Sequence, residues 1–145
     1  MQQICYNDTQ EKELFLKRRA DMTKQRAAIL RAMEEGQRHM NAEEIFNKAK
    51  QILPRLALGT VYRNLNAMCE EGEIFRIPVP GQPDHYDKNP MRHEHTYCAR
   101  CGELTDLMLP ELADLLAKAC PDYSGYQLTV CALCDNCKAA EANKQ

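Results

Sequence analysis

The 145-residue sequence predicts an α+β protein of two small domains. Residues 1–88 read as an N-terminal winged helix-turn-helix, and residues 89–145 as a small C-terminal α/β domain closed by a four-cysteine zinc site. Three observations carry this prediction. Three amphipathic helical stretches precede an alternating strand, a Pro-Gly turn and a return strand. The charge balance shifts near Lys88, because residues 1–88 carry fourteen Lys/Arg against thirteen Asp/Glu, and residues 89–145 carry five against eight. Two Cys-x-x-Cys pairs, Cys98/Cys101 and Cys134/Cys137, stand about thirty residues apart in the last third.

The elements follow in order. Glu11 to Ala20 forms a charged, modestly amphipathic helix. Thr23 caps the next, whose apolar positions Ala27, Ile29, Leu30 and Met33 run up to a stop at Gly36. Asn41 with Glu44 three residues on spells a capping box, opening a helix with Ile45, Phe46, Ala49 and Ile52 before Pro54. The third helix runs from about Leu58 to Glu71 and ends at Gly72. Its apolar stripe is Leu58, Val61, Tyr62, Leu65, Met68 and Cys69, and its other face shows Thr60, Arg63, Asn64 and Ala67. Ile74 to Val79 alternates as a strand, Pro80-Gly81-Gln82-Pro83 turns, and a return strand lies near His85-Tyr86-Asp87. In a winged helix the third helix enters the major groove of DNA. A plain three-helix bundle with a packing hairpin fits the same pattern.

Residues 87–92 form a polar, Pro-containing hinge. Beyond it the pattern predicts strands around His95–Ala99 and Glu103–Leu109, a helix from about Pro110 to Ala119, a strand near Tyr126–Ala132 and a terminal helix from about Asp135. There is no internal repeat.

At this length the chain has room for a core but not for a large enzyme fold. The formal net charge is −2, so any nucleic-acid contact must come from locally placed basic groups rather than a global field. No apolar run approaches the roughly twenty residues of a membrane span, and the N-terminus lacks a signal-peptide pattern. A cytoplasmic, reducing compartment is therefore expected, in which the eight cysteines serve as thiols and metal ligands rather than as disulfides.

Four thiolates on two Cys-x-x-Cys turns close a tetrahedral zinc site with no position left for catalysis. Gly102 directly after the first pair supports that reading over redox chemistry. Cys69 and Cys120 sit in apolar helical contexts, where a free cysteine acts as a small hydrophobe. Cys131, three residues before Cys134, competes as a ligand, and the sequence leaves that open.

Just upstream, His93-Glu94-His95 is a His-x-His. If the segment is extended, both imidazoles share one face and Glu94 the other. Two imidazoles with carboxylates suit Fe(II), Mn(II), Zn or Co(II). Asp87 and Asp106 are the nearest oxygen candidates in sequence. On its own merits His39 reads as a surface histidine and His85 as a wing-surface residue.

Thr23-Lys24-Gln25-Arg26, Gly59-Thr60-Val61-Tyr62-Arg63-Asn64-Leu65 and His93-Glu94-His95-Thr96-Tyr97-Cys98-Ala99-Arg100-Cys101-Gly102 together resemble the ferric uptake regulator (Fur) family, in matching order across nearly the whole chain. The resemblance implies a DNA-binding winged helix hinged to a dimerisation domain. It also implies a structural zinc on Cys98, Cys101, Cys134 and Cys137 and a regulatory metal, Fe(II) or Mn(II), on His39, Asp87, His93, His95 and Asp106. Among family members the chain is most like the peroxide-sensing PerR-type repressors, which resemble it in having Asp where Asp106 stands; iron-sensing members usually carry Glu. In those repressors the residues matching His39 and His93 are oxidised to 2-oxo-histidine when iron meets peroxide, and Mn(II) gives an insensitive form. Two departures stand out: no His follows His95, and the stretch between Leu116 and Cys134 is a few residues short.

On the third helix, Arg63 suits guanine and Asn64 adenine. Thr60 and Tyr62 suit phosphate or thymine-methyl contacts, and Lys24 and Arg26 the DNA backbone; Tyr62 fits a core position equally well. A homodimer predicts a palindromic operator. The expected function is thus a metal-dependent repressor and not an enzyme. An iron-responsive repressor of the same family is the alternative. More distant are a non-haem iron oxygenase built on His93, His95 and Asp87, which the scarcity of long strands disfavours, and a metal-storage or trafficking protein that binds no operator.

Overall fold

The computed structural model describes residues 24–89 and 91–143, and the chain divides into two units, Met1–Met91 and Arg92–Gln145. The helix expected over 11–20, the Thr23 cap and Cys5 lie outside the described residues.

The first unit builds its core from three helices. Helix α1, Lys24–Glu35, buries Ala28, Ile29, Leu30, Ala32 and Met33. It stops where Gly36 lets the chain pass close to Met40: a Cβ there would lie 2.2 Å from the Met40 Sδ. Helix α2, Ala42–Ile52, opens with the expected capping box. The Glu44 N–H donates to Asn41 Oδ1 at 3.0 Å and the Asn41 N–H to Glu44 Oε2 at 2.8 Å. Helix α3, Leu58–Glu70, buries Val61, Leu65 and Met68. Its exit turn uses Gly72 at φ +71°, a left-handed conformation that favours glycine. Ile29, Ile45, Leu65 and Ile74 meet in one cluster, with Cys69 packed against it as a small hydrophobe. Tyr62, by contrast, is 42% exposed and is not a core residue.

The unit is completed by a three-stranded antiparallel sheet in the order β1-β3-β2, formed by β1 (Met40–Asn41), β2 (Phe75–Ile77) and β3 (His85–Asp87). The hairpin β2–β3 is the wing expected from sequence, so three helices and a wing give the winged-helix arrangement. Strand β1 was not expected; two residues are too few to show alternation.

Arg26 corrects the sequence reading. Its Nε donates to Glu73 Oε2 at 3.1 Å and its Nη1 to Glu71 Oε1 at 3.3 Å, with Nη2 also on both carboxylates. Glu73 is only 2% exposed, so the guanidinium neutralises a buried charge at the end of α3 rather than reaching a phosphate. Lys24 is exposed at the start of α1.

The second unit contains strands β4 (Glu94–Cys98), β5 (Leu104–Leu107) and β6 (Thr129–Ala132) in the order β5-β4-β6, and helices α4 (Leu112–Ala119) and α5 (Asp135–Ala142). Strand β5 pairs antiparallel with β4, and β6 parallel. Neither helix has a buried residue. The buried residues are Glu94, His95 and Cys98, so among the described residues this interior is polar and sulfur-bearing rather than apolar. The strand expected from Tyr126 begins later, at Thr129, because Tyr126 instead donates its hydroxyl to Glu94 Oε1 at 2.5 Å. Glu94 Oε2 accepts from the Leu109 N–H at 3.2 Å, so both of its oxygens are satisfied. Among the described residues no helix is long and apolar enough to cross a membrane.

Removing Arg26 strands the buried Glu73 carboxylate, so Arg26→Ala should destabilise the first unit by about 3 kcal/mol, read as a lower urea midpoint. The double variant Arg26→Met/Glu73→Leu, which leaves no unpaired charge, should recover most of that loss.

Candidate metal centres

The two Cys-x-x-Cys turns meet at the ends of paired strands. Strand β4 delivers Cys98, and the following turn closes with the Gly102 N–H on the Cys98 carbonyl at 2.8 Å, with Gly102 at φ +75°. Past β6, Cys134 caps the start of α5, whose first turn holds Cys137. Arg100 links the two turns, donating to the Cys137 carbonyl and to Glu141, each at 3.3 Å. The four sulfurs lie within 4.8 Å of one another, and Cys101 Sγ is 3.7 Å from Cys134 Sγ. Zinc–sulfur bonds of about 2.3 Å at tetrahedral angles put neighbouring sulfurs about 3.8 Å apart, whereas a disulfide needs about 2.05 Å. The cluster therefore has the dimensions of a zinc site.

Its electrostatics agree. Backbone N–H groups of Cys134 and Cys101 hold the Cys98 thiol down to about 6. Cys137 is pushed up to about 12, chiefly by hydrogen bonding with Cys134 and by desolvation. So crowded a group does not become four thiolates without a cation among them.

The ladder resolves the ambiguity over Cys131. Cys131 pairs with Tyr97, one residue out of step with Cys98, which pairs with Ala132. Alternation puts Cys131 on the sheet face opposite Cys98, away from the sulfur cluster.

A second group of donors lies on the same strand. His95 stands directly opposite Asp106 in the β4–β5 ladder, and His93 precedes it by two residues on the same face. Asp106 Oδ1 lies 3.2 Å from His93 Nε2 and 4.0 Å from His95 Nε2. The two imidazole rings are 4.5 Å apart between centroids. One hydrogen bond explains a single short His–Asp distance, but here two imidazole nitrogens converge on one carboxylate oxygen. Ligands held at about 2.1 Å around one ion are separated by about 3 Å or more, which fits this spacing.

The first unit carries its own pair. His39 Nε2 lies 3.3 Å from Asp87 Oδ2, with both side chains almost wholly buried. The cause is β1: Met40 pairs with Tyr86 and Asn41 with His85, so continuing the register sets His39 against Asp87. That two-residue strand was the missing signal, and His39 is not the surface histidine that its sequence context suggests. Asn89 fixes the aspartate from the other side, its N–H donating to Asp87 Oδ1 at 2.8 Å. His85 is partly exposed, with Nδ1 3.0 Å from the Pro83 carbonyl oxygen, and belongs to the wing. Imidazole and carboxylate donors fit Fe(II) or Mn(II), and four thiolates fit zinc.

The residues expected at DNA sit mainly on α3. Tyr62 and Arg63 are exposed, and the Arg63 guanidinium donates to Thr60 Oγ1 at 3.2 Å. Asn64 is turned aside: it is partly buried, and its Nδ2 donates to the Thr60 carbonyl at 2.8 Å.

The pattern described as "Ferric uptake regulator family" matches residues 17–135. The chain is similar to the peroxide-responsive repressor PerR of Staphylococcus saprophyticus, 26% identical over 121 residues, covering 81% of this chain and 82% of that one. Its fold resembles the crystal structure of the Campylobacter jejuni peroxide stress regulator at TM-score 0.71 and 28% identity, covering 86% of this chain and 97% of that one. It also resembles the ferric uptake regulator Fur of Helicobacter pylori, a structure described as having three functional metal binding sites, at TM-score 0.70 and 20% identity over 90% and 91% of the two chains. The chain belongs to the ferric uptake regulator family.

Proposed function

We propose that this family member is a metal-dependent transcriptional repressor that senses peroxide through oxidation of its own histidines. The observation that carries the reading is the convergence of His93 and His95 on one oxygen of Asp106. The buried His39–Asp87 pair of the winged-helix unit supports it.

Three donors in one unit and two in the other are each too few for the six-coordinate preference of Fe(II) or Mn(II). In this reading all five, His39, Asp87, His93, His95 and Asp106, ligate one ion. A ligand set drawn from both units favours whichever arrangement of the winged helix lets all five bind, and so couples metal loading to DNA affinity. Fe(II) held by these residues would activate peroxide by lending an electron that it recovers from the imidazole, chemistry that Mn(II) supplies poorly. His39 and His93 are the residues the chain offers to oxidation. The imidazole carbon gains one oxygen atom from peroxide and loses two electrons, and the other oxygen leaves as water. An imidazole so altered is a poorer ligand, and the arrangement that favours DNA is lost with it.

The four-sulfur cluster takes zinc as a structural ion. Met108, Leu109, Leu115 and Val130 are exposed in a unit whose helices bury nothing, which supports a second copy of the chain as the partner covering them. A dimer presents two α3 helices to a palindromic operator in the cytoplasm, with Tyr62 and Arg63 facing it. The iron-responsive alternative uses the same ligands but needs no histidine oxidation.

Peroxide treatment of the Fe(II) form should add the mass of one oxygen to the peptide holding His39 or His93 and release operator DNA, while the Mn(II) form stays unmodified. DNA binding that follows iron concentration with neither histidine modified would replace peroxide sensing by iron sensing. For the sulfur cluster, elemental analysis should find one zinc per chain in the wild type and in Cys131→Ser and none in Cys98→Ser. Loss of zinc from Cys131→Ser alone would overturn the assignment of four ligands.

A further inference from the structure

The exposed positions of α3 are Gly59, Tyr62, Arg63, Asn66 and Glu70, spaced by three and four residues and hence on one face. Asn64 lies on the flank, with its amide on the Thr60 carbonyl. The amide on the outward stripe is therefore that of Asn66, one turn beyond Tyr62 and three residues after Arg63. Nothing in the sequence distinguished it from Asn64.

Asn66 is also held in one orientation. Arg76 of β2 donates from Nη2 to Asn66 Oδ1, joining the wing to the third helix. A guanidinium has donors only, so the atom facing it must be the amide oxygen, and the two ends of the amide are not interchangeable. Arg76 is itself held in place, its guanidinium 6.0 Å above the Tyr86 ring and its Nε 3.9 Å from Asp84 Oδ2. With the oxygen engaged by the wing, Asn66 offers its NH2 group on the exposed face.

Resting on the DNA-binding reading above, we infer that Asn66, oriented by Arg76, is a base-reading residue that donates to an acceptor on a base edge. Guanine O6 and N7, adenine N7 and thymine O4 present such acceptors in the major groove, and cytosine presents none. The paired contact by which an asparagine reads adenine draws on the amide oxygen as well, and there Arg76 competes for it. Arg76 acts through Asn66 as a positioning residue. The wing thus influences sequence preference without touching a base.

The test is selection from a random double-stranded DNA library by the Mn(II)-loaded full chain, comparing wild type, Asn66→Ala and Arg76→Ala. Wild type should enrich sites that disfavour cytosine, with adenine favoured no more than guanine, at one position of each half-site. That preference should fall about tenfold or more in Asn66→Ala while the other positions persist. In Arg76→Ala, where the amide oxygen is released, adenine should become the preferred base at the same position. Three outcomes overturn the inference: an unchanged preference in Asn66→Ala, an adenine preference at that position in wild type, or a weakening uniform across all sequences, which marks a phosphate contact. If wild type enriches no sequence, the DNA-binding reading itself fails, and this inference with it. Both variants alter exposed side chains, and unchanged zinc content with an unchanged unfolding midpoint shows that the fold is retained.

Discussion

The four-sulfur cluster joins the turn after β4 to the segment after β6, and the rest of the C-terminal unit depends on that join because the unit has little else to hold it. Its helices bury no residue, and its interior holds a glutamate, a histidine and a cysteine. A small domain ordinarily offsets its loss of chain entropy with apolar burial. Where that burial is absent, a metal bond among thiolates supplies the stabilisation, and folding and metal binding become a single equilibrium. The sequence distance between the two turns adds to the effect, since clamping a long loop removes more disorder from the unfolded chain than clamping a short one.

The same strand that ends in Cys98 carries His95 as its second residue and follows His93, so the staple also sets the geometry of the histidines. The register of β4 with β5 brings Asp106 opposite His95, and a slip of one residue would send both imidazoles to the other face. Glu94 resists such a slip. It is buried on the reverse face between the Tyr126 hydroxyl and the Leu109 N–H, and either donor would be left without its acceptor if the strand moved. The peroxide-sensing group in the proposed function is thus framed on one side by sulfur and on the other by a buried carboxylate.

How much of this was legible in the sequence depended on the range of each signal. The sulfur turns, the capping box at Asn41, the His-x-His alternation and the glycine stop at Gly72 are local patterns, and the structure contains all of them. The failures are long-range. Arg26 read as a phosphate ligand because its carboxylate partners lie forty-five and forty-seven residues away. His39 reads as a surface residue because β1 has only two residues and its pairing with β3 spans helices α2 and α3. Cys131 stayed ambiguous because its spacing from Cys134 matches a ligand spacing, and only the ladder shows which face it occupies. Asn64 and Asn66 are two residues apart on one helix, and propensity cannot tell which points outward.

Those long-range contacts also suggest how a sensor built on this fold reaches its DNA face. Within the first unit, His39 and Asp87 sit where β1 and β3 meet, and β3 continues back to Tyr86, the ring beneath Arg76. Phe75 pairs with Asp87 and Arg76 with Tyr86, so the ligand end of the sheet and the residue that orients Asn66 are neighbours in one ladder. In the proposed function an ion at His39 and Asp87 restrains that ladder at its end, and its release removes the restraint from the strand on which Arg76 rests. Loss of the shared ligand set is therefore not the only change that metal loss permits in the proposed function. The wing, and through it the side chain proposed to read the base, is loosened within the winged-helix unit itself. Sequence preference should then depend on metal occupancy as well as overall affinity, a consequence that a rigid-body account alone does not contain.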